Sequence, residues 1–298
     1  MDRFQSMQVF VRVADVGGFA EAARQMHLSP PAVTRAVAAL EVVVGSRLFV
    51  RTTRSLKLTD TGVRYLEDCR RILSDIAEAD ATAAGIYGTP SGTLTVTASA
   101  MFGQLYILPI LTDYLDTYSD VTGRALFVDR VTNIVDEGID VSIRIGDLPD
   151  SSHSAIKVGT VRRVLCGSPA YFERRGRPAA PSDLADHRIV AATSAWNSLD
   201  WRFGSAGQTH VTVKPSLFCN TNLAARDAAV SGWGLTRLLS YQVGAELENG
   251  SLETVLDDYE LPPVPIHIVH PEGRRASAKV RAFVDLAVTR LRQNRYFN

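Results

Sequence analysis

The sequence predicts an α/β protein in three parts: a short helical head, one long helix, and a larger body in which strands and helices alternate. Three observations carry that prediction. Up to about residue 58, apolar residues recur at helical spacing in short, arginine-bearing segments. From Thr59 to about Gly88 one helical pattern runs without proline, until Gly88-Thr89-Pro90-Ser91-Gly92 breaks it. From Thr93 onward strand and helix periods take turns, which argues for a largely parallel α/β domain. A chain of 298 residues with 46% hydrophobic content has room for roughly two domains and buries a core without staples.

The totals exclude several classes of protein. Thirty-two basic side chains balance 32 acidic ones, so neither a polybasic coat nor an acidic tail is the main theme, although local asymmetry stays open. Cys69, Cys166 and Cys219 are an odd number without CxxC spacing, which fits a reducing compartment. The N-terminus has an acid at position 2 and helically spaced apolar residues, unlike a signal peptide. No window approaches ~18 consecutive apolar residues, so no membrane span is expected. A cytoplasmic protein follows as the expectation.

In the head, Phe4, Met7, Phe10, Val11 and Ala14 share one face of a first helix, which Gly17-Gly18 ends. Phe19 to Met26 makes a short second helix with Ala22, Ala23 and Met26 inward. Ser29 is the N-cap of a third helix from about Pro31 to Val44, and Pro30 and Pro31 sit where a missing N–H does no harm. Leu48-Phe49-Val50 and Leu56-Lys57-Leu58 read as two short strands around a basic turn, Thr52-Thr53-Arg54-Ser55. Short helix, tight connection, longer helix and hairpin is the winged helix-turn-helix order, in which the second helix of the pair enters the major groove. Between Ser46 and Thr59 the charges are Arg47, Arg51, Arg54 and Lys57 with no acid, a phosphate-facing patch in a neutral chain.

At these residues the chain resembles the LysR-type transcriptional regulators. The resemblance lies in Gly18-Phe19-Ala20-Glu21-Ala22-Ala23, Leu28-Ser29-Pro30-Pro31-Ala32-Val33-Thr34-Arg35, Leu40-Glu41, Gly45, Arg47-Leu48-Phe49, Arg51-Thr52-Thr53-Arg54, Leu58-Thr59 and Gly62. It is unbroken over about the first sixty residues and continues more loosely to the C-terminus. It implies DNA-facing roles for Ser29, Pro30, Pro31, Thr34 and Arg35 on the third helix and for Arg51 and Arg54 on the wing. Arg35 is the expected bidentate reader of a guanine. The plain alternative for each arginine is a solvated surface charge.

In the long helix, Tyr65, Cys69, Ile72, Ile76, Ala79 and Ala83 recur at steps of four and three residues, widened by Leu66 and Leu73. The spacing predicts a seam for a second copy, with Tyr65, Cys69, Ile72 and Ile76 as dimerisation residues. The resemblance implies the same, a linker helix that holds two winged domains on neighbouring half-sites, with a tetramer as the further assembly. The alternative is an ordinary helix packed on its own domain. A redox role for Cys69 fits that seam poorly, since a small apolar filler belongs there.

In the body, Thr93 to Ala98 alternates as a half-buried strand. A helix follows from Phe102 to about Tyr118, with Leu105, Leu108, Leu111 and Leu115 on one stripe. Strands are expected at Arg124–Asp129, Asp140–Gly146, Val161–Gly167, Val211–Asn220 and Pro265–His270. Helices are expected at Asn133–Glu137 (a single turn), Pro169–Glu173 and Leu223–Val230, then a last one with Val280, Phe283, Val284, Ala287 and Leu291 inward. This layout is that of the two-lobed type 2 periplasmic-binding-protein fold. The expected boundaries are residues 1–58 for the winged domain, 59–88 for the linker helix and 89–298 for the effector domain. Its lobes span about 89–163 with 267–298, and about 164–266.

Ligands of open α/β sheets bind beyond the carboxyl ends of strands. Ser99 sits at such an end, beside a helix start suited to an anion, and Asn220 and Thr221 sit at the matching place in the second lobe. The resemblance adds Arg144 to Gly146 and Thr193-Ser194 as cleft walls, and Thr236 and Arg237 near them. Arg144 or Arg237 would pair with an anionic effector of unknown identity. The alternative is that Ser99 and Asn220 merely cap helices. Leu239 stands where the family usually has proline, so this edge of the second lobe is expected to differ.

GxSxG, HExxH, P-loop and GxGxxG motifs are absent from the sequence. His267 and His270, three apart in one strand, point to opposite faces and make a poor metal pair. No metal or cofactor is expected. The partners of this reading are a double-stranded DNA operator, a small-molecule effector and further copies of the chain, with RNA polymerase as a candidate. The rival readings are a solute-binding protein or an α/β enzyme with an incidental helical N-terminus, and a redox sensor using Cys166 and Cys219.

Overall fold

The computed structural model describes residues 2–51, 56–83, 89–134, 136–148, 154–192, 199–270 and 276–297. The chain divides into two compact units, Met1–Gly88 and Thr89–Asn298. In the first, helix α1 spans Arg3–Val16; Asp2 caps it by accepting the Gln5 N–H at 2.7 Å, and Gly17 ends it at φ 71°. Helix α2 spans Phe19–Gln25 and α3 spans Pro30–Val44, where Ser29 accepts the Ala32 N–H at 3.4 Å and Gly45 closes the helix, again at φ 71°. Strands β1 (Phe49–Arg51) and β2 (Leu56–Leu58) pair antiparallel as the wing. The Glu41 carboxylate accepts the Leu48 and Phe49 N–H groups at 2.8 and 3.3 Å, tying the wing to α3. Its turn at 52–55 lies outside the described residues.

Helix α4 spans Asp60–Ala83. Its first turn lies against the wing so closely that a Cβ on Gly62 would meet the Leu48 carbonyl oxygen at 2.1 Å. Here one expectation is corrected. Cys69 is 0% exposed and Leu66 is buried in one cluster with Phe10, Val13, Val37 and Leu40, and Tyr65 and Leu73 pack on it. The small head does take the first half of the stripe, because α4 lies along α1 and Tyr65 sits 5.8 Å from Phe10, ring to ring. Tyr65 and Cys69 are therefore core residues of the head. The other half of the seam differs: Ile72 and Ile76 are each 37% exposed.

The second unit holds two five-stranded sheets. Strands β3 (Gly92–Ala98), β4 (Val121–Phe127), β5 (Val141–Ile145) and β6 (Ser154–Val161) precede the crossing into the second lobe. Strands β7 (Arg163–Gly167), β8 (Ile189–Ala192), β9 (Asp200–Phe203), β10 (Thr209–Thr212), β11 (Leu217–Cys219), β12 (Leu235–Leu239) and β13 (Glu253–Val255) follow, and β14 (Val264–His270) returns. The sheet orders are β4-β3-β5-β14-β6 and β11-β8-β12-β7-β13, with β9 and β10 as a separate hairpin. Neither sheet is largely parallel, as the alternation had suggested. The two crossing segments enter against the grain, so β14 runs antiparallel to β5 and β6, and β7 antiparallel to β12 and β13.

Three element boundaries also differ from the sequence reading. Val161–Gly167 is two strands joined at Arg162, which passes from one sheet to the other. The expected strand Val211–Asn220 breaks between β10 and β11 because the two halves pair in different sheets. The helix after β3 is not regular: α5 (Ala100–Phe102) passes through a π-turn at Gly103–Ile107 into α6 (Leu108–Thr117). Gly103 permits this, since a Cβ there would meet the Phe127 ring at 2.3 Å. The wider turn shifts the inward face to Phe102, Ile107, Leu111 and Tyr114 and leaves Leu105 and Leu108 exposed, at 44% and 41%. Helices α7 (Pro169–Arg175), α8 (Asn222–Val230) and α9 (Gly244–Glu248) belong to the second lobe. Helix α10 (Ala278–Arg292) buries Val280, Phe283, Val284, Ala287 and Leu291 against the first sheet, the expected set.

Candidate functional site

Helix α3 is built with two unlike faces. Val33, Ala36, Val37 and Leu40 are buried against α1 and α2, while Ser29, Pro30, Pro31 and Arg35 are exposed and Thr34 is half-buried. Apolar residues at i, i+3, i+4 and i+7 force the first set inward, so the helix start and Arg35 face solvent together. Ser29 spends its hydroxyl on the Ala32 N–H, and Pro30 and Pro31 carry no N–H, so the helix start meets a phosphate through side chains rather than through N-terminal N–H groups. Arg47 and Lys57 are exposed beside the wing. Arg54 and the side chain of Arg51 lie outside the described residues.

In the second unit the strand ends come together across the crossing. Ser99 precedes α5 but makes no side-chain cap; its hydroxyl shares a 3.4 Å hydrogen bond with the Tyr241 hydroxyl. Tyr241 lies in the turn after β12, yet packs in the core of the first lobe, 5.1 Å from the Phe102 ring. Burial pushes its phenol up to about 12, so it stays a neutral donor at physiological pH. The Arg162 carbonyl accepts the Ser240 N–H at 2.8 Å and the Ser240 hydroxyl accepts the Arg162 N–H at 3.1 Å. The end of β12 is thus stitched to the crossing segment. No local pattern announces this: Ser99 and Tyr241 are 142 residues apart.

The helix start beside Ser99 is not open to an anion as expected. The Asp129 carboxylate already accepts the Ala100 N–H at 3.0 Å, and a second negative charge there would be repelled. Arg144 is likewise engaged, donating to the Thr132 carbonyl at 2.9 Å and to the Ser142 hydroxyl at 3.4 Å. Gly146, at φ 132°, donates its N–H to the Pro265 carbonyl at 2.9 Å.

On the second-lobe side Asn220 is exposed and Thr221 caps α8, accepting the Ala224 N–H at 3.2 Å. Their neighbour Asn222, missed by sequence reasoning, is 5% exposed and its carboxamide oxygen lacks a hydrogen-bond partner. Such an orphan acceptor is costly and calls for a ligand or water. Thr193 and Ser194 lie outside the described residues.

Thr236 and Arg237 are corrected. Thr236 lies mid-sheet, fully buried, and donates to the Val190 carbonyl at 3.1 Å. One residue on, Arg237 points to the face covered by the β9–β10 hairpin, where its guanidinium donates to the Arg202 carbonyl at 3.3 Å. Neither lines a cleft with Ser99. Burial pushes the Cys166 thiol up to about 12 and the Cys69 thiol up to about 11, which removes both from thiolate chemistry at neutral pH. Among the described residues no group of side chains has the arrangement of a metal site, and no helix is long and apolar enough to cross a membrane.

A winged helix-turn-helix on one unit and a two-lobed α/β body on the other define a DNA-binding regulator with an effector domain. Residues 4–63 match the family described as bacterial regulatory helix-turn-helix protein, lysR family, and residues 87–292 match the LysR substrate binding domain. The chain belongs to the LysR family of transcriptional regulators. It is 31% identical over 297 residues to an HTH-type transcriptional repressor of Pseudomonas aeruginosa, covering 99% of this chain and 94% of that protein. It is 30% identical over 281 residues to an HTH-type transcriptional regulator of Haemophilus influenzae, covering 94% and 98%. Among solved structures it resembles CrgA, a LysR-type regulator from Neisseria meningitidis, with TM-score 0.63 and 26% identity over 97% of this chain and 99% of that one. The protein is accordingly a transcriptional regulator with an effector-binding domain, not an enzyme. Regulators of this family bind DNA and small-molecule effectors and form oligomers.

Proposed function

We propose that residues 1–58 bind a double-stranded operator, 59–88 pair two copies, and 89–298 sense a small molecule between two lobes in the cytoplasm. Ser29, Pro30, Pro31, Thr34 and Arg35 enter the major groove, and Arg51 and Arg54 hold phosphates from the wing. The supporting observation is the split of α3 into a buried apolar face and a solvent face that carries the helix start and Arg35. Ile72 and Ile76 form the part of the α4 seam left for a partner helix, and contacts between effector domains extend the dimer to a tetramer. RNA polymerase is the further macromolecule met at a promoter.

The effector lies among Ser99, Asn220 and Thr221, with Arg144, Gly146, Thr193 and Ser194 around it. The Asp129 carboxylate lies beside Ser99 at the Ala100 N–H, and the unpartnered carboxamide oxygen of Asn222 follows Thr221 in sequence; both are acceptors, so a ligand carrying amine or hydroxyl donors suits this reading better than a carboxylate. Control follows from linkage: a ligand that prefers one closure of the lobes shifts the spacing of the paired winged domains. A gel shift on the gene's own upstream region, with and without compounds found by thermal-shift screening, tests this. Absence of any specific shift, or a shift that no stabilising compound alters, counts against it.

A further inference from the structure

Alternate buried residues of one turn feed two different cores. Leu239 and Tyr241 pack in the core of the first lobe, with Phe102, Ile107 and Phe283, whereas Val243 packs in that of the second, with Val164, Cys166 and Ala225. The turn Ser240–Gln242 and the start of α9 are therefore a third link between the lobes, beside the crossings at Arg162 and before Val264. Tyr241 is the arm of that link into the first lobe.

The end of the chain closes on this link. The C-terminal turn Arg295–Phe297 lies against Ser240–Gln242 and against β6. Phe297 is fully buried; its ring stacks 5.3 Å from Phe102 and meets Tyr106 edge-on at 4.8 Å. The same two rings flank Tyr241, at 5.1 and 5.9 Å. Gly159 on β6 makes the room, since a Cβ there would lie 2.7 Å from the Phe297 Cβ. One residue earlier, Tyr296 covers the start of α9 so closely that a Cβ on Gly244 would lie 2.8 Å from its ring. Arg295 pairs with Glu248 on α9 at 2.8 Å. Both ends of that ion pair are exposed and it contributes little, so the packed rings carry the attachment.

Neighbouring tail residues thus hold different lobes, Phe297 the first and Tyr296 the second. We infer that Arg295–Phe297 is a clamp on the third link, which keeps the lobes in one mutual position and the Tyr241 hydroxyl at Ser99. Loosening the tail frees the lobes to move about the link without unpacking either core. The regulatory meaning of the clamp rests on the proposed control by lobe closure, whose equilibrium it biases before any effector arrives. The clamp itself is tested without an effector.

Amide hydrogen exchange of the full-length protein, followed by mass spectrometry, reads it. Tyr296→Ala removes a half-buried ring over α9 and leaves Phe297 in place. Exchange should rise by about tenfold in peptides covering 239–248 and 99–107, while the core strands β3, β8 and β14 keep wild-type rates. Gly244→Ala should raise exchange in the same peptides by pushing the ring away. Combined with Tyr296→Ala it should add nothing, because both act through one contact. Faster exchange confined to 293–298, an equal rise across the whole unit, or additive effects of the two substitutions overturns the clamp. Where exchange behaves as expected but no stabilising compound alters the operator complex, the clamp stands and control by lobe closure falls.

Discussion

The DNA-binding head and the effector unit present their functional side chains in opposite ways. In the head, most of the proposed DNA-facing residues lie on one helix: α3 buries Val33, Ala36, Val37 and Leu40, and Pro30, Pro31 and Arg35 on its other face are exposed as a consequence. In the effector unit, no single element does. Ser99, Asp129 and Tyr241 meet at the ends of different strands, and each is already tied to another part of the protein. A surface that must read DNA can be left open, because water solvates it until DNA arrives. Buried polar groups in the effector unit are pressed to find partners within the protein, and Ser99 and the Ala100 N–H have found them in Tyr241 and Asp129.

The largest effect should come from the core that makes the head's open surface possible. Phe10→Ala removes a fully buried ring touching Phe49 and Tyr65 and should cost ~3–5 kcal/mol. Thermal melting should then resolve an early transition for the head ahead of an unchanged one for residues 89–298. Equal displacement of a single transition would show that the two units do not melt separately.

Next in size is the exposed half of α4. Ile72→Asp with Ile76→Asp places four charges along one paired seam and should weaken dimerisation by two to three orders of magnitude, about 3–4 kcal/mol. Head stability should hardly change. Analytical ultracentrifugation showing an intact dimer would assign pairing to another surface.

Arg35→Ala should erode discrimination between operator and random DNA by ~1–3 kcal/mol. Arg54→Ala should weaken both alike and lower the salt slope by ~1. Filter-binding titrations over a range of salt separate the two. If both variants lose specific and non-specific affinity in one ratio, reading and anchoring are not divided between helix and wing.

The smallest effects belong to the effector unit. Thr221→Ala removes a helix cap and should cost ~1 kcal/mol. Ser99→Ala removes a 3.4 Å contact and no cap, so its melting temperature should move less, while its response to an effector disappears. Calorimetric titration with a screened ligand checks this. A Ser99→Ala protein that melts lower than Thr221→Ala and binds ligand normally would make Ser99 purely structural.

The helices of the head and their caps follow from the sequence because each depends on residues three or four apart. Apolar spacing, Ser29 before two prolines, and glycines at 17 and 45 act within one turn of chain. The same locality let the α10 core set be read from its spacing. What the tertiary structure alone decided needs contacts between distant segments. A heptad step records that Cys69 and Ile72 share a stripe, but only the position of α1 buries one and leaves the other at the surface. A π-turn rotated the α5–α6 face because Gly103 meets Phe127 from the neighbouring strand. The two crossings between the lobes, at Arg162 and again before Val264, reversed β7 and β14 in their sheets, and the pairing that followed put Arg237 under the hairpin and brought Tyr241 to Ser99. Strand pairing and lobe crossing join residues far apart in sequence, and local periodicity, which sees only one turn or one pleat, has no information about which distant partner will arrive.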